Sequence, residues 1–279
     1  GSLWWAGQFA NQLGRLDPAT GEMKEFPLDI ANSGPHGLIE DGDGNIWFTG
    51  NYQNYMGKFD PTTEDTEEFY VPEGVRAPHT PIIDQDGIVW FTTPSGHVGR
   101  IDPETEEMTI STAPSPGAFP YGININSKGV PWYVDWRGNR VGRVDPTTGK
   151  ITEYELPHPD SRPRRIALTP DDAVWYTDYT RGYLGRFDPE TGEVKEWLSP
   201  GGTSSQPYGI AAIGNVLWYV ETYSRPNALV RFDTETEELQ TWAIPSGGGV
   251  VRHMVATADG NLVLACSAVN RIALVEVET

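Results

Sequence analysis

The sequence predicts an all-β protein, a seven-bladed β-propeller of four-stranded antiparallel blades, and three observations support that fold class. Five repeats carry a Gly-basic-apolar-Asp-Pro run such as Gly185–Pro189, and the 31 Gly and 23 Pro cluster at predicted turns. Tryptophans recur every 42 or 43 residues, at Trp4, Trp47, Trp90, Trp132, Trp175 and Trp218, with Val263 in a seventh slot. A fixed period of this size is typical of repeat architectures in which small sheets stack.

Each repeat is predicted to form four short strands, which we letter a to d. Strand a follows a proline, as in Pro35, and strand b is rich in aromatic and β-branched residues, as in residues 46–49. Strand c is residues 184–188 and its equivalents. The Asp-Pro-x-Thr-Gly run predicts the c–d hairpin, because Asp accepts backbone N–H groups, Pro presets φ and Gly takes the φ > 0 position. Strand d, as in residues 193–198, alternates charged and apolar residues, which suits an outer strand.

The chain is interpreted as one domain over residues 1–279, in which Gly1 and Ser2 are a cloning remnant. The repeats lie near residues 3–34, 35–77, 78–119, 120–162, 163–206, 207–250 and 251–279. The first repeat begins at strand b and the last has no strand d. Because both own a b–c hairpin, we expect two incomplete blades that meet at the ring closure. Natural sequence upstream, with further domains, would explain the abrupt start.

Composition excludes some classes of partner. The formal net charge of −19 would repel nucleic acid and anionic membrane surfaces, and no apolar run is long enough for membrane insertion. The single cysteine, Cys266, cannot form a disulfide within the chain and is expected in the core. The compartment stays open, with a periplasmic or secreted location slightly favoured over the cytoplasm.

One position breaks the symmetry of the repeats, the residue that follows the strand a proline. In a propeller the innermost strand borders the central channel, so equivalent residues should surround one mouth of it. Here they are His36, His79, Tyr121, Arg164, Tyr208 and Arg252, with His253 beside the last. The residues that leave strand b on the same side include Trp136, Tyr179 and Glu221. Such a mixture predicts a site for a small molecule or peptide, although a set of mutually satisfied polar groups around a water-filled tunnel is the alternative.

Three stretches, Pro35–Phe69, Pro120–Tyr154 and Pro163–Trp197, share the pattern PxGI…GxIWFT…NxIGRIDPxTGxxxEF. They resemble the repeats of the virginiamycin B lyase (streptogramin lyase) family over nearly the whole chain. The resemblance implies a seven-bladed propeller from a bacterium. It also implies, for the lyase, a Mg²⁺-assisted elimination that opens a cyclic depsipeptide at its ester linkage. There a histidine removes the proton α to a carbonyl whose oxygen the metal polarises.

The resemblance places the working histidines after the strand a proline of the last two blades, with a glutamate leaving strand b of the final one. The matching positions hold Tyr208 and Arg252, with Ser267 near the glutamate place. His253 is one residue late, which in a regular strand turns it to the opposite face. His36 and His79 occupy the equivalent place on the second and third blades.

We therefore predict His36 and His79 as the catalytic residues if the protein is an enzyme. The predicted substrate-binding residues are Tyr121, Arg164, Tyr208, Arg252, Trp136, Tyr179 and Glu221. Mg²⁺ is expected by resemblance only, and no metal ligands are assigned.

Three functional hypotheses stay open. The first is a metal-assisted lyase or hydrolase acting on an ester or cyclic peptide. The second is a binding module for a small molecule or protein, without chemistry. The third is a structural or sensory domain of a larger exported protein. A six-bladed, calcium-dependent lactonase is a further alternative, against which the seven repeat starts count.

Overall fold

The computed structural model describes residues 1–277, so the last two residues of the seventh repeat lie outside the described part. The described chain forms seven antiparallel sheets with each strand paired to its sequence neighbours, the blades of a seven-bladed β-propeller. The first and last blades have three strands and the other five have four. The predicted fold class is confirmed, including the two incomplete blades.

The chain divides into two compact units, which we describe separately. Unit 1 comprises residues 1–125, 129–131 and 143–152, and unit 2 comprises residues 126–128, 132–142 and 153–279. The fourth blade therefore contributes residues to both. Its strands are β12 (Pro120–Ile125), β13 (Pro131–Asp135), β14 (Arg140–Val144) and β15 (Ile151–Glu155).

Unit 1 contains the first three blades. Blade 1 is β1 (Leu3–Gly7), β2 (Gln12–Leu16) and β3 (Met23–Pro27). Blade 2 is β4 (Pro35–Glu40), β5 (Ile46–Gly50), β6 (Tyr55–Phe59) and β7 (Thr66–Tyr70). Blade 3 is β8 (Pro81–Ile83), β9 (Val89–Thr93), β10 (His97–Ile101) and β11 (Met108–Thr112).

Unit 2 contains the last three blades. Blade 5 is β16 (Pro163–Leu168), β17 (Val174–Asp178), β18 (Tyr183–Phe187) and β19 (Val194–Leu198). Blade 6 is β20 (Pro207–Ile213), β21 (Val216–Glu221), β22 (Ala228–Asp233) and β23 (Leu239–Ala243). Blade 7 is β24 (Val251–Ala256), β25 (Leu262–Cys266), a single 3₁₀ turn (Ser267–Val269) and β26 (Arg271–Val275). No helix among residues 1–277 has the length and hydropathy needed to cross a bilayer.

The core contains the strand b tryptophans, whose large rings pack between neighbouring sheets. Trp47, Trp90, Trp132, Trp175 and Trp218 are all buried. Trp175 stacks on Trp197 of its own blade with ring centroids 5.3 Å apart. The strand c glycine leaves room for the aromatic ring of the strand b residue with which it is paired. A Cβ on Gly185 would lie 2.0 Å from the Tyr176 ring, so this position requires glycine.

The c–d hairpin of blade 5 has the predicted turn chemistry, whereas in blades 2, 3 and 6 the position of positive φ is occupied by glutamate instead of glycine, at Glu64, Glu106 and Glu237. Asp188 Oδ1 accepts the backbone N–H groups of Glu190 (2.9 Å) and Thr191 (3.1 Å), and Gly192 has φ of 75°. These bonds favour the ionised form and lower the pKa of Asp188. The Asp-Pro-x-Thr-Gly run is therefore an architectural element.

Strand a departs from a regular strand at the position that differs among blades. A register shift lies between Pro35 and Leu38 in blade 2, and equivalent shifts occur in blades 5, 6 and 7. In blade 3, β8 begins only at Pro81, so His79 precedes the strand. A bulge re-aims the side chain it carries, so strict face alternation does not apply to Arg252 and His253, which lie within the blade 7 shift and are both exposed.

Candidate functional site

In unit 1 three of the predicted residues form a row of rings, each tilted by about 40° to the next, which we call the histidine stack. The His36 and His79 ring centroids are 4.1 Å apart, and those of His79 and Tyr121 are 4.0 Å apart. His79 and Tyr121 are buried, with 6% of each exposed, whereas His36 is half-buried. Blades 2, 3 and 4 each supply one ring from the position after the strand a proline. The sequence prediction that these residues come together is thus met within this unit.

Backbone carbonyls organise that stack. His36 Nδ1 lies 3.3 Å from the backbone oxygen of His79, and because that oxygen can only accept, the contact is a hydrogen bond in the tautomer that has its proton on Nδ1. Thr49 Oγ1 donates to the same oxygen at 3.3 Å and accepts the N–H of Gly37 at 2.9 Å. Thr92 Oγ1 likewise donates to the backbone oxygen of Tyr121 at 2.6 Å. Each strand b threonine therefore fixes the variable residue of the next blade.

In unit 2 the predicted residues surround a guanidinium group. Arg164 Cζ lies 4.1 Å from the ring centroid of Tyr208, 4.2 Å from that of Tyr179 and 4.5 Å from that of Trp136. We call these three rings the aromatic box. The Tyr179 and Tyr208 rings are 72° apart, so the planar guanidinium cannot stack flat on both. Tyr208 is 1% exposed and Arg164 is half-buried, which makes the cation–π contacts partly shielded from water.

A second arginine, Arg165, lies beside the aromatic box and connects blade 5 to blade 7. Arg165, 7% exposed, donates from Nε to the backbone oxygen of Arg252 at 3.0 Å, and its Cζ lies 5.9 Å from the Tyr208 ring. Its backbone N–H donates to Thr177 Oγ1 at 3.3 Å, and that hydroxyl donates to the backbone oxygen of Tyr208 at 2.9 Å. Arg164, Arg165 and the backbone of Arg252 thus meet around one tyrosine.

The three carboxylates that end strand b in blades 4, 5 and 6 hold their own loops. Asp135 accepts the N–H of Gly138 at 2.9 Å, Asp178 accepts the N–H of Arg162 at 3.1 Å, and Glu221 accepts the N–H of Gly201 at 2.6 Å. All are buried, with at most 2% exposed. Glu221 also accepts the hydroxyl of Ser224 at 3.1 Å. Glu221, predicted as substrate-binding, thus lies in a loop-bracing network, and its role toward a substrate stays a prediction.

Blades 4 and 5 reach similar charge pairing by different residues. In blade 5, Arg181 Nη1 bonds Asp178 Oδ2 at 3.2 Å and Glu196 Oε1 at 2.7 Å. In blade 4 the equivalent of Arg181 is Gly138, and Arg140 Nη1 approaches Asp135 Oδ2 to 3.7 Å instead. A Cβ on Gly138 would lie 2.6 Å from that guanidinium. Buried Asp at this place is therefore paired with arginine in both blades, which is an architectural use.

The residues around the predicted site lack the donor set of the divalent cation that the resemblance implies. No group of three or more His, Cys, Asp or Glu among residues 1–277 is arranged to hold a metal ion. In the blades of His36 and His79, strand b ends in Gly50 and Thr93, which supply no carboxylate. Mg²⁺ prefers several oxygen ligands, among them carboxylates. The residues at the histidine stack do not fit a magnesium ion.

Two features of the site were not foreseen from the sequence. One is the hydrogen bond from Arg165 to the backbone of Arg252, although the sequence of strand a in blade 5 differs from that of other blades. Strand a reads Pro-x-Gly in blades 2, 4 and 6 but Pro163-Arg164-Arg165 in blade 5. The other is the threonine contact between blades, whose signal is a Thr two residues after the strand b tryptophan, as in Thr49 and Thr177.

Solved structures of known proteins share the fold of this chain. The chain is 25% identical to the streptogramin B lyase structure with a TM-score of 0.88, covering 99% of this chain and 90% of that chain. It is 25% identical to virginiamycin B lyase from Staphylococcus aureus with a TM-score of 0.87, covering 99% and 92%. A catalytically inactive histidine-to-alanine variant of the S. aureus enzyme with quinupristin is 29% identical, with a TM-score of 0.78 and coverage of 89% and 86%.

The sequence matches a family profile but no single curated protein. No curated protein sequence matches this chain. The profile of the virginiamycin B lyase family matches residues 1–212, which include both the histidine stack and the aromatic box. With more than half of the chain matched and the same seven-bladed fold, this protein belongs to the virginiamycin B lyase family.

Proposed function

We propose that this chain binds a small, peptide-like organic ligand without turning it over. The observation that carries the proposal is the identity of the residues where the family resemblance expects working histidines. Tyr208 and Arg252 stand there, and Tyr208 is buried against Arg164. A phenol and a guanidinium are poor general bases near neutral pH, because both groups keep their protons there.

The inactive relative supports binding as a separable activity. Its name states that a histidine was replaced by alanine, that the variant is catalytically inactive and that quinupristin is present. A propeller of this family that has lost a histidine is thus described together with a ligand. The present chain carries comparable losses in its own sequence.

The test is an incubation of the purified chain with quinupristin, read in two ways. Thermal unfolding reports binding, since a ligand that binds only the native state raises Tm as its concentration rises. Chromatography reports turnover, because elimination within a ring changes retention but not mass. We expect a concentration-dependent rise in Tm and quinupristin that elutes unchanged. Absence of any rise in Tm, or accumulation of a new isomer, contradicts the proposal.

A second candidate function is a lyase or hydrolase centred on His36 and His79. The observation that favours it is the ring contact at 4.1 Å between two imidazoles, each of which can act as a general base near neutral pH. A base within reach of an acidic C–H is what elimination requires. Because the donor set at this stack does not fit Mg²⁺, any turnover here is expected to be insensitive to EDTA.

The matched variants are His36→Ala, His79→Ala and, as a control, the solvent-exposed His158→Ala. Loss of turnover in the first two alone, in the presence and absence of EDTA, supports the second candidate. Equal turnover in the wild type and all three variants rules out the second candidate.

A further inference from the structure

We infer a second binding site, for a neutral pyranose sugar, in a groove between blades 5 and 6. The groove lies wholly within unit 2 and has a volume of about 400 Å³, within the roughly 300–1,000 Å³ of small-molecule sites. Strand a of blade 5 runs from Pro163, beside Arg164, to Leu168, and the groove begins at Thr169. The groove is therefore at the opposite end of that blade from the aromatic box, and the inference goes beyond the proposed function.

The groove is open because the a–b turns of blades 5 and 6 do not meet. Between blades 4 and 5, the N–H and the hydroxyl of Ser127 each donate to the Asp172 carboxylate at 2.8 Å. In blade 5 the equivalent of Ser127 is Pro170, which has neither donor. The a–b turn of blade 6 consists of Gly214 and Asn215 alone, whereas blade 5 uses residues 169–173. Among residues 1–277 no hydrogen bond joins these two turns, so space remains between the blades.

One wall of the groove is formed by blade 6, where the repeat motif departs from its usual sequence. Thr234 replaces the proline of the c–d turn. Its backbone N–H and its hydroxyl donate to the backbone oxygen of Asn215 at 3.1 and 2.8 Å, two bonds that a proline could not make. They tie the c–d turn to the tight a–b turn and so hold the side chains of Asn215 and Glu235 at the groove.

The other wall is formed by two indole rings of blade 5. Trp175 is buried and Trp197 is half-buried, and their planes are 25° apart. Both rings line the groove. The negative π-face of an indole attracts weakly positive C–H groups, and a pyranose presents several of these on one flat face. The aromatic wall therefore suits the apolar face of a sugar ring.

The charged groups at the groove are paired with one another, which favours a neutral ligand. Arg186 Nη2 bonds Asp171 Oδ2 at 3.1 Å, and Lys195 pairs with Glu237. Glu237 also accepts the indole N–H of Trp197 at 3.1 Å. A charged ligand would compete with one member of a pair and leave the other uncompensated. A hydroxyl both donates and accepts, so it can join such solvent-exposed pairs at little cost.

Blade 6 supplies the acceptors that remain for the hydroxyl groups of a sugar. Asn215 Nδ2 donates to Glu235 Oε1 at 3.1 Å. The second oxygen of Glu235 and the side-chain oxygen of Asn215 accept no hydrogen bond from residues 1–277. These two acceptors face a wall of aromatic rings, and a pyranose matches both because its hydroxyl groups project from the rim of an apolar ring.

The experiment titrates the ¹⁵N-labelled full chain with cellobiose and follows the indole N–H signals by NMR, with the Trp197 signal assigned by Trp197→Phe. We expect this signal to move and to saturate at cellobiose concentrations of millimolar order. Sorbitol, which has hydroxyl groups but no ring face, is the matched control and should leave the signal in place. Quinupristin should not displace cellobiose, because the groove is remote from the aromatic box.

The variants separate the groove from indole stacking in general. Trp197→Ala should abolish cellobiose binding, which is then followed by the backbone N–H signals of Gly214 and Asn215. Trp242→Ala is the matched control, because Trp242 has the same place in strand d of blade 6 and lies 5.7 Å from Trp218. It should not change the affinity. If Trp197→Ala does not fold, Asn215→Ala decides, since it changes an exposed side chain and keeps the backbone oxygen that Thr234 uses. We expect about fivefold weaker binding, the effect of one hydrogen bond.

Four outcomes would overturn the assignment. They are no movement of the Trp197 signal at about 100 mM cellobiose, equal movement with sorbitol, an equal loss of affinity in Trp242→Ala, and displacement of cellobiose by quinupristin. Unchanged affinity in Asn215→Ala would also contradict the role given to blade 6.

Discussion

In unit 1 the residues after the strand a proline are His36, His79 and Tyr121, whose rings contact one another. In unit 2 the same place in the repeat holds Arg164, whose guanidinium contacts three rings. The backbone around both is similar, since each lies at or beside an irregularity of strand a. One repeat position has therefore taken two chemistries, an imidazole stack and a boxed cation.

The difference is related to the preceding strand b. The threonines of blades 2, 3 and 5 donate to the carbonyls of His79, Tyr121 and Tyr208. Val134 and Val220 replace them in the blades that precede Arg164 and Arg252. Valine offers no hydroxyl, so the arginine positions lack this clamp, and the carbonyl of Arg252 accepts Arg165 Nε instead. The three clamped positions carry rings. Of the positions without this clamp, two carry Arg164 and Arg252, while His36, which follows Ala6 of blade 1, carries a ring.

The largest difference between the two regions should appear at the strand a glycine. A Cβ on Gly37 would lie 2.5 Å from the His79 oxygen and from Pro81 Cδ, whereas on Gly209 the nearest atom is the Val251 oxygen at 3.2 Å. We expect Gly37→Ala to lower the free energy of unfolding by about 2–3 kcal/mol, the cost of overpacking against backbone. Gly209→Ala should cost less than about 1 kcal/mol. Urea unfolding measures both, and equal costs would contradict the account.

The threonine clamps should have an intermediate effect. Thr49→Val leaves the Gly37 N–H without its 2.9 Å acceptor in a buried setting. The expected loss of stability is about 1–2 kcal/mol. Thr177→Val should cost a similar amount, because that hydroxyl bonds Arg165 N and the Tyr208 oxygen. Urea unfolding measures both losses. A Thr49→Val variant as stable as the wild type would contradict the clamp in unit 1, and the same result for Thr177→Val would contradict it in unit 2.

Arg165 should have a smaller, structural effect within unit 2. Arg165→Met removes the 3.0 Å bond to the Arg252 oxygen, and we expect the free energy of unfolding to fall by about 1 kcal/mol, the usual contribution of one hydrogen bond. Urea unfolding measures this change. A variant as stable as the wild type would contradict this role.

The c–d turns should show no difference between the regions. Backbone hydrogen bonds lower the pKa of Asp60 in unit 1 and of Asp188 in unit 2. A lowered carboxyl pKa stabilises the fold above the unfolded-state pKa, and this contribution is lost as pH falls through the folded pKa. Asp60→Asn and Asp188→Asn should therefore both destabilise at pH 7 and approach the wild type as the solution is acidified. Urea unfolding as a function of pH checks this, and a variant that stays destabilised in acid would contradict it.

The fold could be predicted from the sequence because its determinants are local and repeated. The tryptophan period, the Asp-Pro-x-Thr turns and the strand c glycines each recur in at least five repeats, so a repeat with a degenerate motif can still be assigned from the others. The stack of His36, His79 and Tyr121 followed from the same symmetry, since equivalent positions of neighbouring blades must be close.

The contacts of Arg164 and Arg165 could not be predicted in the same way. Arg165 reaches residue 252 across 87 positions of sequence, and only the path of a long side chain past Tyr208 decides that contact. The bulge in strand a also changes side-chain direction, which alternation along a regular strand does not describe. Symmetry predicts where equivalent residues lie, but it does not predict the contacts of the residue that departs from it.

The central claim is that this chain binds a peptide-like ligand without turning it over. The most direct measurement is a titration with quinupristin followed by NMR of ¹⁵N-labelled protein and by chromatography of the ligand. The account predicts that protein signals move on titration and that quinupristin elutes unchanged. Protein signals that do not move, or a new isomer of quinupristin, would contradict it.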